Sequence, residues 1–150
     1  MRDLIFLTVL GSIFFSFMLG NRPLSVPDEG RYVEISREMV ATGDYLTPRL
    51  NGVKYFEKPV LFYWLEAFSI RLFGLHEFTL RLWPAVMALL GCFSVAVAGA
   101  RLFGRLTGIL AAAVLATSLL YYALSRAIIL DLAVSILLAA SLLSFLVGTH

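Results

Sequence analysis

Apolar residues fall in long runs along this chain, separated by one extended polar stretch. The first run, Leu4–Gly20, is interrupted only by Thr8, Gly11, Ser12 and Ser16. A spanning helix takes about 20 residues, with a range of roughly 17–25, so this run is a short first span over 4–20. The charge-free runs at 82–100, 106–124 and 132–148 predict three more. Pro84 falls in the first turn of its span, where proline is tolerated. Between the first and second spans, Ser25-Val26-Pro27-Asp28-Glu29 reads as a helix start with acids in its first turn. Tyr32, Ile35 and Met39 follow at i, i+3 and i+7, with Val40 beside them, and form one apolar stripe. Glu34, Arg37 and Glu38 face away from it, and Thr42-Gly43 ends the helix. A short amphipathic helix beside a membrane anchor is expected to lie in the interface plane. Leu46–Gly52 reads as irregular. Pro59–Leu75 is aromatic but is broken by Glu66 and Arg71. A charge at a helix centre costs about 2.5–3.5 kcal/mol on insertion, so this segment is read as a second interfacial helix, not a span.

Composition places the chain in the membrane class. It is 60% hydrophobic and 15% charged, with a mean hydropathy of +0.88. Soluble domains have about 45–50% apolar and about 25% charged residues. The net charge is only +2, with basic residues interleaved among acids, which excludes a nucleic-acid binder. One cysteine, Cys92, gives no disulfide framework and reads as a small buried hydrophobe. The first run is followed by Gly20-Asn21-Arg22-Pro23 and not by a small-x-small cleavage site, so it is expected to be an uncleaved signal anchor. Arg2 puts the amino terminus in the cytoplasm, and Arg101 and Arg105 form a basic cytoplasmic turn. The loop 21–81 and Asp131 then share the extracytoplasmic face. The expected fold is an all-α, polytopic helical bundle with amphipathic interfacial helices in its first extracytoplasmic loop.

The polar stretch from Asn21 to Pro59 holds twelve of the chain's twenty-two charged residues, six of each sign. So charged a loop between membrane segments sits in water or among headgroups, where chemistry on a lipid-borne substrate would take place. Asp28-Glu29 can be read structurally, as a helix cap worth about 0.5–2 kcal/mol plus a first-turn acid. It can equally be read functionally, with Arg31 and Tyr32 one turn on and a second carboxylate, Asp131, at the end of a span. In Tyr55-Phe56-Glu57-Lys58-Pro59, Lys58 either snorkels among lipid phosphates or holds an ammonium near a phosphate leaving group. Glu57 could pair with Lys58, bind a metal or face water.

The runs DEGRYVEISREMVATGDY and NGVKYFEKP resemble the first periplasmic loop of the lipid A aminoarabinose transferase family. That family belongs to the GT-C membrane glycosyltransferases, together with the protein O-mannosyltransferases. SRAIILD is similar to the family's second acidic loop. The resemblance covers essentially the whole chain and implies the amino-terminal part of a GT-C bundle in a bacterial inner membrane, with the loop on the periplasmic side. It implies a polyprenyl-phosphate-linked sugar donor and an acceptor that is lipid A, another glycolipid or a protein. It also implies Asp28 and Asp131 as catalytic carboxylates, Arg31, Tyr32 and Lys58 as substrate-binding residues, and Glu57 as a ligand to a divalent metal ion. Family members have about a dozen spans and a soluble carboxy-terminal portion. Four spans are therefore expected to be inactive alone.

Two other classes compete. A transporter or flippase would place ionisable residues in the middle of spans, and the spans assigned here contain no charged residue. A noncatalytic membrane assembly subunit would explain four helices and a loop, but gives no reason for Asp28, Lys58 and Asp131 to share a face.

Overall fold

The computed structural model describes residues 2–25 and 27–149, with side chains from Phe6 onward. Expectations that fall on Val26 and on the Arg2 and Leu4 side chains lie outside the described residues. Seven helices and one hairpin are present among these residues: α1 (Arg2–Ser16), α2 (Asp28–Thr42), β1 (Arg49–Leu50), β2 (Val53–Lys54), α3 (Leu61–Phe73), α4 (Glu77–Phe103), α5 (Arg105–Thr117), α6 (Leu119–Leu124) and α7 (Leu130–Thr149). The chain forms two units. A helical unit takes residues up to Phe17, Pro84–Arg126 and the chain from Asp131 onward. A loop unit takes Met18–Trp83 and Ala127–Leu130.

The helical unit is turned inside out relative to a water-soluble domain. Phe6, Ile13, Leu106, Leu110, Val114, Leu138, Leu142 and Phe145 all point outward, an arrangement that hydrocarbon accepts and water does not. Small residues let the helices approach closely. A Cβ built on Gly99 would lie 2.9 Å from the Gly108 Cα, and one on Gly108 would run into the Ala96 carbonyl and Ala100. This packing of backbone on backbone is how helices associate where no hydrophobic force drives them together. Near the other end of α4, the Tyr121 hydroxyl donates to the Ala88 carbonyl at 2.6 Å.

Helix bounds depart from the expected spans in instructive ways. α1 stops at Ser16, four residues short of Gly20, and Met18 has a φ of 54°. α4 runs from Glu77 to Phe103, 27 residues and roughly 40 Å, past both ends of the 82–100 run. Pro84 is therefore inside the helix and not in its first turn. It sits where the chain passes from the loop unit to the helical unit, and it removes one backbone donor there. The 106–124 run is two helices, broken where Ser118 is extended (φ −68°, ψ 130°).

In the loop unit α2 and α3 pack on each other. The α2 stripe is wider than expected: Val33, Ser36 and Glu29 are buried with Tyr32, Ile35 and Met39. Gly43, with a φ of 72°, closes the helix by donating its N–H to the Met39 carbonyl, which fits the Thr42-Gly43 stop. α3 buries Phe62, Tyr63, Glu66, Ala67, Ser69 and Ile70. Its 13 residues reach only about 20 Å, short of the roughly 30 Å a span needs; α1 and α5, with 15 and 13 residues, fall short of their expected spans by the same measure, and among the described residues α4 and α7 are the helices long and apolar enough to cross a membrane. The segment read as irregular contains a hairpin, with Arg49 paired to Lys54 and Leu50 to Val53. Asn51 and Gly52 both have positive φ (52° and 79°), the geometry of a primed two-residue turn, for which Asn-Gly is the favoured pair.

Candidate active site

Successive residues of a helix point about 100° apart, and this separates the two acids that open α2. Asp28 projects outward, with 61% of its side chain exposed and its Oδ1 3.7 Å from the Arg31 guanidinium. Glu29 turns inward and is 2% exposed. Pro27, not Asp28, occupies the cap position, and no side chain caps the helix. The structural reading of Asp28 as an N-cap is thereby corrected.

Glu29 gathers donors from four parts of the chain: the Ser25 N–H at 2.6 Å, Arg22 at 3.1 Å, the Ile128 N–H at 3.1 Å, and Arg81 at 3.0 and 3.4 Å. Burial pushes its carboxyl pKa up. The hydrogen bond from Arg81 and those from the Ser25 and Ile128 amides outweigh that and hold it below the usual value. Arg81 is 1% exposed and spends all five N–H donors. Two go to Glu29, and three to the carbonyls of Leu19, Arg22 and Pro23. Sequence reasoning passed over this pair, taking Glu29 as a first-turn acid and leaving Arg81 in the loop. The available signal was an arginine placed one residue before a charge-free run.

The hairpin delivers the second motif. The Tyr55 N–H donates to Pro48 at 2.8 Å, and the turn is tied to α2 by the Gly52 N–H donating to Glu38 at 3.2 Å. The Tyr55 hydroxyl donates to Glu57 at 2.8 Å, and its oxygen lies near enough to Arg31 to raise the guanidinium pKa. Burial raises the pKa of the Tyr32 phenol, against the pull of the nearby Lys58 charge. Asp28, Arg31, Tyr32, Glu57 and Lys58 therefore lie in one cluster with Tyr55 as its link. Asp131 belongs to the helical unit. It opens α7 and lines a cavity of about 440 Å³ with Tyr121, Ser94, Ser118 and Ser135.

Behind the cluster sits Glu66, a residue read from sequence only as an interruption. It is completely buried, its Oε2 2.8 Å from the Ser36 hydroxyl. Desolvation pushes its pKa up to about 8, more than the Ser36 hydrogen bond brings it down. Ser36 has one hydroxyl proton and two oxygens in reach, Glu66 Oε2 at 2.8 Å and the Tyr32 carbonyl at 3.2 Å. A protonated Glu66 resolves the competition: it donates to Ser36, which then donates to Tyr32. Tyr63, equally buried, has its ring 6.2 Å from the Tyr32 ring and tilted 37° to it.

Among the described residues no group of three or more His, Cys, Asp or Glu side chains could hold a metal ion. Glu57 accepts from the Tyr55 hydroxyl. These donors do not by themselves fit a metal.

A sequence model of the family described as dolichyl-phosphate-mannose-protein mannosyltransferase matches residues 5–149. The chain is 37% identical over 134 residues to an undecaprenyl phosphate-alpha-4-amino-4-deoxy-L-arabinose arabinosyl transferase of Aeromonas salmonicida, covering 89% of this chain and 24% of the relative. A protein of the same description from Pectobacterium carotovorum is 39% identical over 137 residues, 91% of this chain and 25% of its own length. The crystal structure of ArnT from Cupriavidus metallidurans bound to undecaprenyl phosphate superposes with a TM-score of 0.91 at 34% identity, covering 99% of this chain and 28% of that one. The apo state of the same protein gives 0.84 at 35% identity. The chain thus spans about a quarter of the length of the relatives it matches.

Proposed function

Because this chain belongs to the dolichyl-phosphate-mannose-protein mannosyltransferase family, we propose that it is the amino-terminal part of a membrane glycosyltransferase. The whole enzyme moves a sugar from a polyprenyl-phosphate donor to a lipid or protein acceptor at the periplasmic face of a bacterial inner membrane. The observation that carries this reading is the cluster of Asp28, Arg31, Tyr32, Tyr55, Glu57 and Lys58, two cations and two carboxylates gathered on a short amphipathic scaffold. The names of the relatives favour undecaprenyl phosphate as the carrier and 4-amino-4-deoxy-L-arabinose as the sugar. Lipid A is the acceptor we favour over another glycolipid or a protein.

The chemistry follows from the charges. An acceptor hydroxyl oxygen attacks the anomeric carbon, and the bond from that carbon to the phosphate oxygen breaks. The hydroxyl proton passes to a carboxylate, for which exposed Asp28 is suited, and polyprenyl phosphate departs with the bonding electrons. Arg31 and Lys58 offset the charge that grows on the departing phosphate. Asp131 is proposed as the second carboxylate of the reaction. A single displacement inverts the anomeric centre.

The test is sugar transfer by the full-length enzyme in membranes, with the protein level checked for each variant. Asp28→Asn is expected to cost about 10²–10⁴-fold in rate. Because Pro27 holds the cap position and Asp28 is exposed, the protein level should be unchanged. Lys58→Ala should weaken donor use or slow the chemical step. Wild-type specific activity in Asp28→Asn refutes the assignment.

A further inference from the structure

We propose that Glu29 and Arg81 form a buried positioning pair for this reaction, orienting the Asp28 turn of α2 and the Ala127–Leu130 segment that leads into α7. The inference rests on the transferase reading above and adds residues that do not themselves touch substrate.

The geometry is that of an alignment device. One carboxylate, on the residue next to Asp28, accepts from Arg81 and also from the Ile128 N–H, three residues before Asp131. It accepts as well from the Ser25 N–H at 2.6 Å, fixing the approach to α2. From the other side, Arg81 clamps the carbonyls of Leu19, Arg22 and Pro23, three points on the connection between α1 and α2. Buried charged pairs are seldom the most stabilising choice, since apolar replacements often do as well or better. A fully satisfied buried network instead fixes a unique geometry. Here one fixed segment carries Asp28, and the other ends at Leu130, the residue before Asp131 in the chain. A side chain misplaced by about 1 Å can cost roughly 10²-fold in rate, and this pair is built to prevent such a shift.

Two conservative variants of the full-length enzyme test it. Glu29→Asp keeps the charge and withdraws the carboxylate by one methylene. Arg81→Lys keeps the charge and loses the planar fork. Each is measured in detergent with a polyprenyl-phosphate sugar donor and a lipid A acceptor, beside Asp28→Asn. The expected result is a fall in kcat of about 10–100-fold, with KM for the donor within about 3-fold and wild-type amounts of monodisperse protein. A purely architectural pair makes a different forecast, lowering the yield while leaving kcat per folded molecule unchanged. Wild-type kcat in folded Glu29→Asp overturns the inference, as does a rise in KM alone. Failure of both variants to accumulate assigns the pair to folding and overturns it as well. Asp28→Asn separates the two levels. If it is inactive while the Glu29 and Arg81 variants are active, only the positioning role fails; if it is active, the transferase site itself is wrong.

Discussion

Replacing Glu66 with glutamine should make the protein more stable at neutral pH, and increasingly so as pH rises. Glu66 has its pKa raised from 4.5 to about 8 by complete burial. An acid raised in this way contributes its full stability only below about 4.5, where folded and unfolded chains both hold the proton. Above that, the unfolded chain releases the proton and the folded chain keeps it, so stability falls by about 1.4 kcal/mol per pH unit. The loss reaches about 3 kcal/mol by pH 7 and about 4 kcal/mol by pH 8, where the folded acid is half ionised and the slope flattens. Glutamine cannot ionise, keeps the shape, and can still donate to Ser36. In the full-length protein, Glu66→Gln and wild type should melt within about 1 °C of each other at pH 5 and separate by about 4 °C at pH 8. That scale assumes about 1 °C per kcal/mol, below the roughly 2–4 °C seen for domains of 150–250 residues. Intrinsic-fluorescence melts in detergent at half-unit steps from pH 5 to 8.5 measure it. Parallel pH slopes for the two proteins, or a lower melting point for Glu66→Gln at pH 8, would show that Glu66 is not held as a neutral acid.

Two further outcomes follow from geometry already described. Gly108→Val should separate α4 from α5 and destabilise by roughly 1–3 kcal/mol, because its side chain would occupy the place of the Ala96 carbonyl and Ala100; a wild-type melting point would argue against that close crossing. For topology, single cysteines at exposed Asn51 and Gly104, in a Cys92→Ser background, should be labelled from the periplasmic and cytoplasmic sides respectively; labelling of both from one side would reject the orientation.

The helices were legible because their signals are local. Long charge-free runs mark α4 and α7, and the i, i+3, i+7 stripe with its Gly43 stop marks α2. The break at Ser118 was hidden, since nothing in the composition of Leu106–Leu124 forbids a continuous helix. Charge was harder to read than apolarity. Glu66 and Arg81 look alike in sequence, as polar residues in or beside oily segments. One is a buried neutral acid against Ser36, the other a buried cation against Glu29. Their partners lie 30 and 52 residues away, distances at which no local rule operates. The cluster at Asp28, Arg31, Tyr32, Glu57 and Lys58 could be found because its members lie in two short motifs. Tyr55, the residue that joins those motifs, gains its role only from the hairpin.

The spacing of the Glu29 network along the chain sets a timetable for biosynthesis. Arg81 leaves the ribosome 52 residues after Glu29, and Ile128 leaves it 99 residues after. At about 5–20 residues per second, the loop waits roughly 5–20 s between the emergence of Glu29 and that of its last partner. Throughout that interval the carboxylate must stay hydrated, and the loop must not collapse onto nearby apolar helices. The dense, balanced charge of the Asn21–Pro59 stretch does both. The same residues that later gather into the cluster keep the nascent loop in water until the chain that locks it has been made.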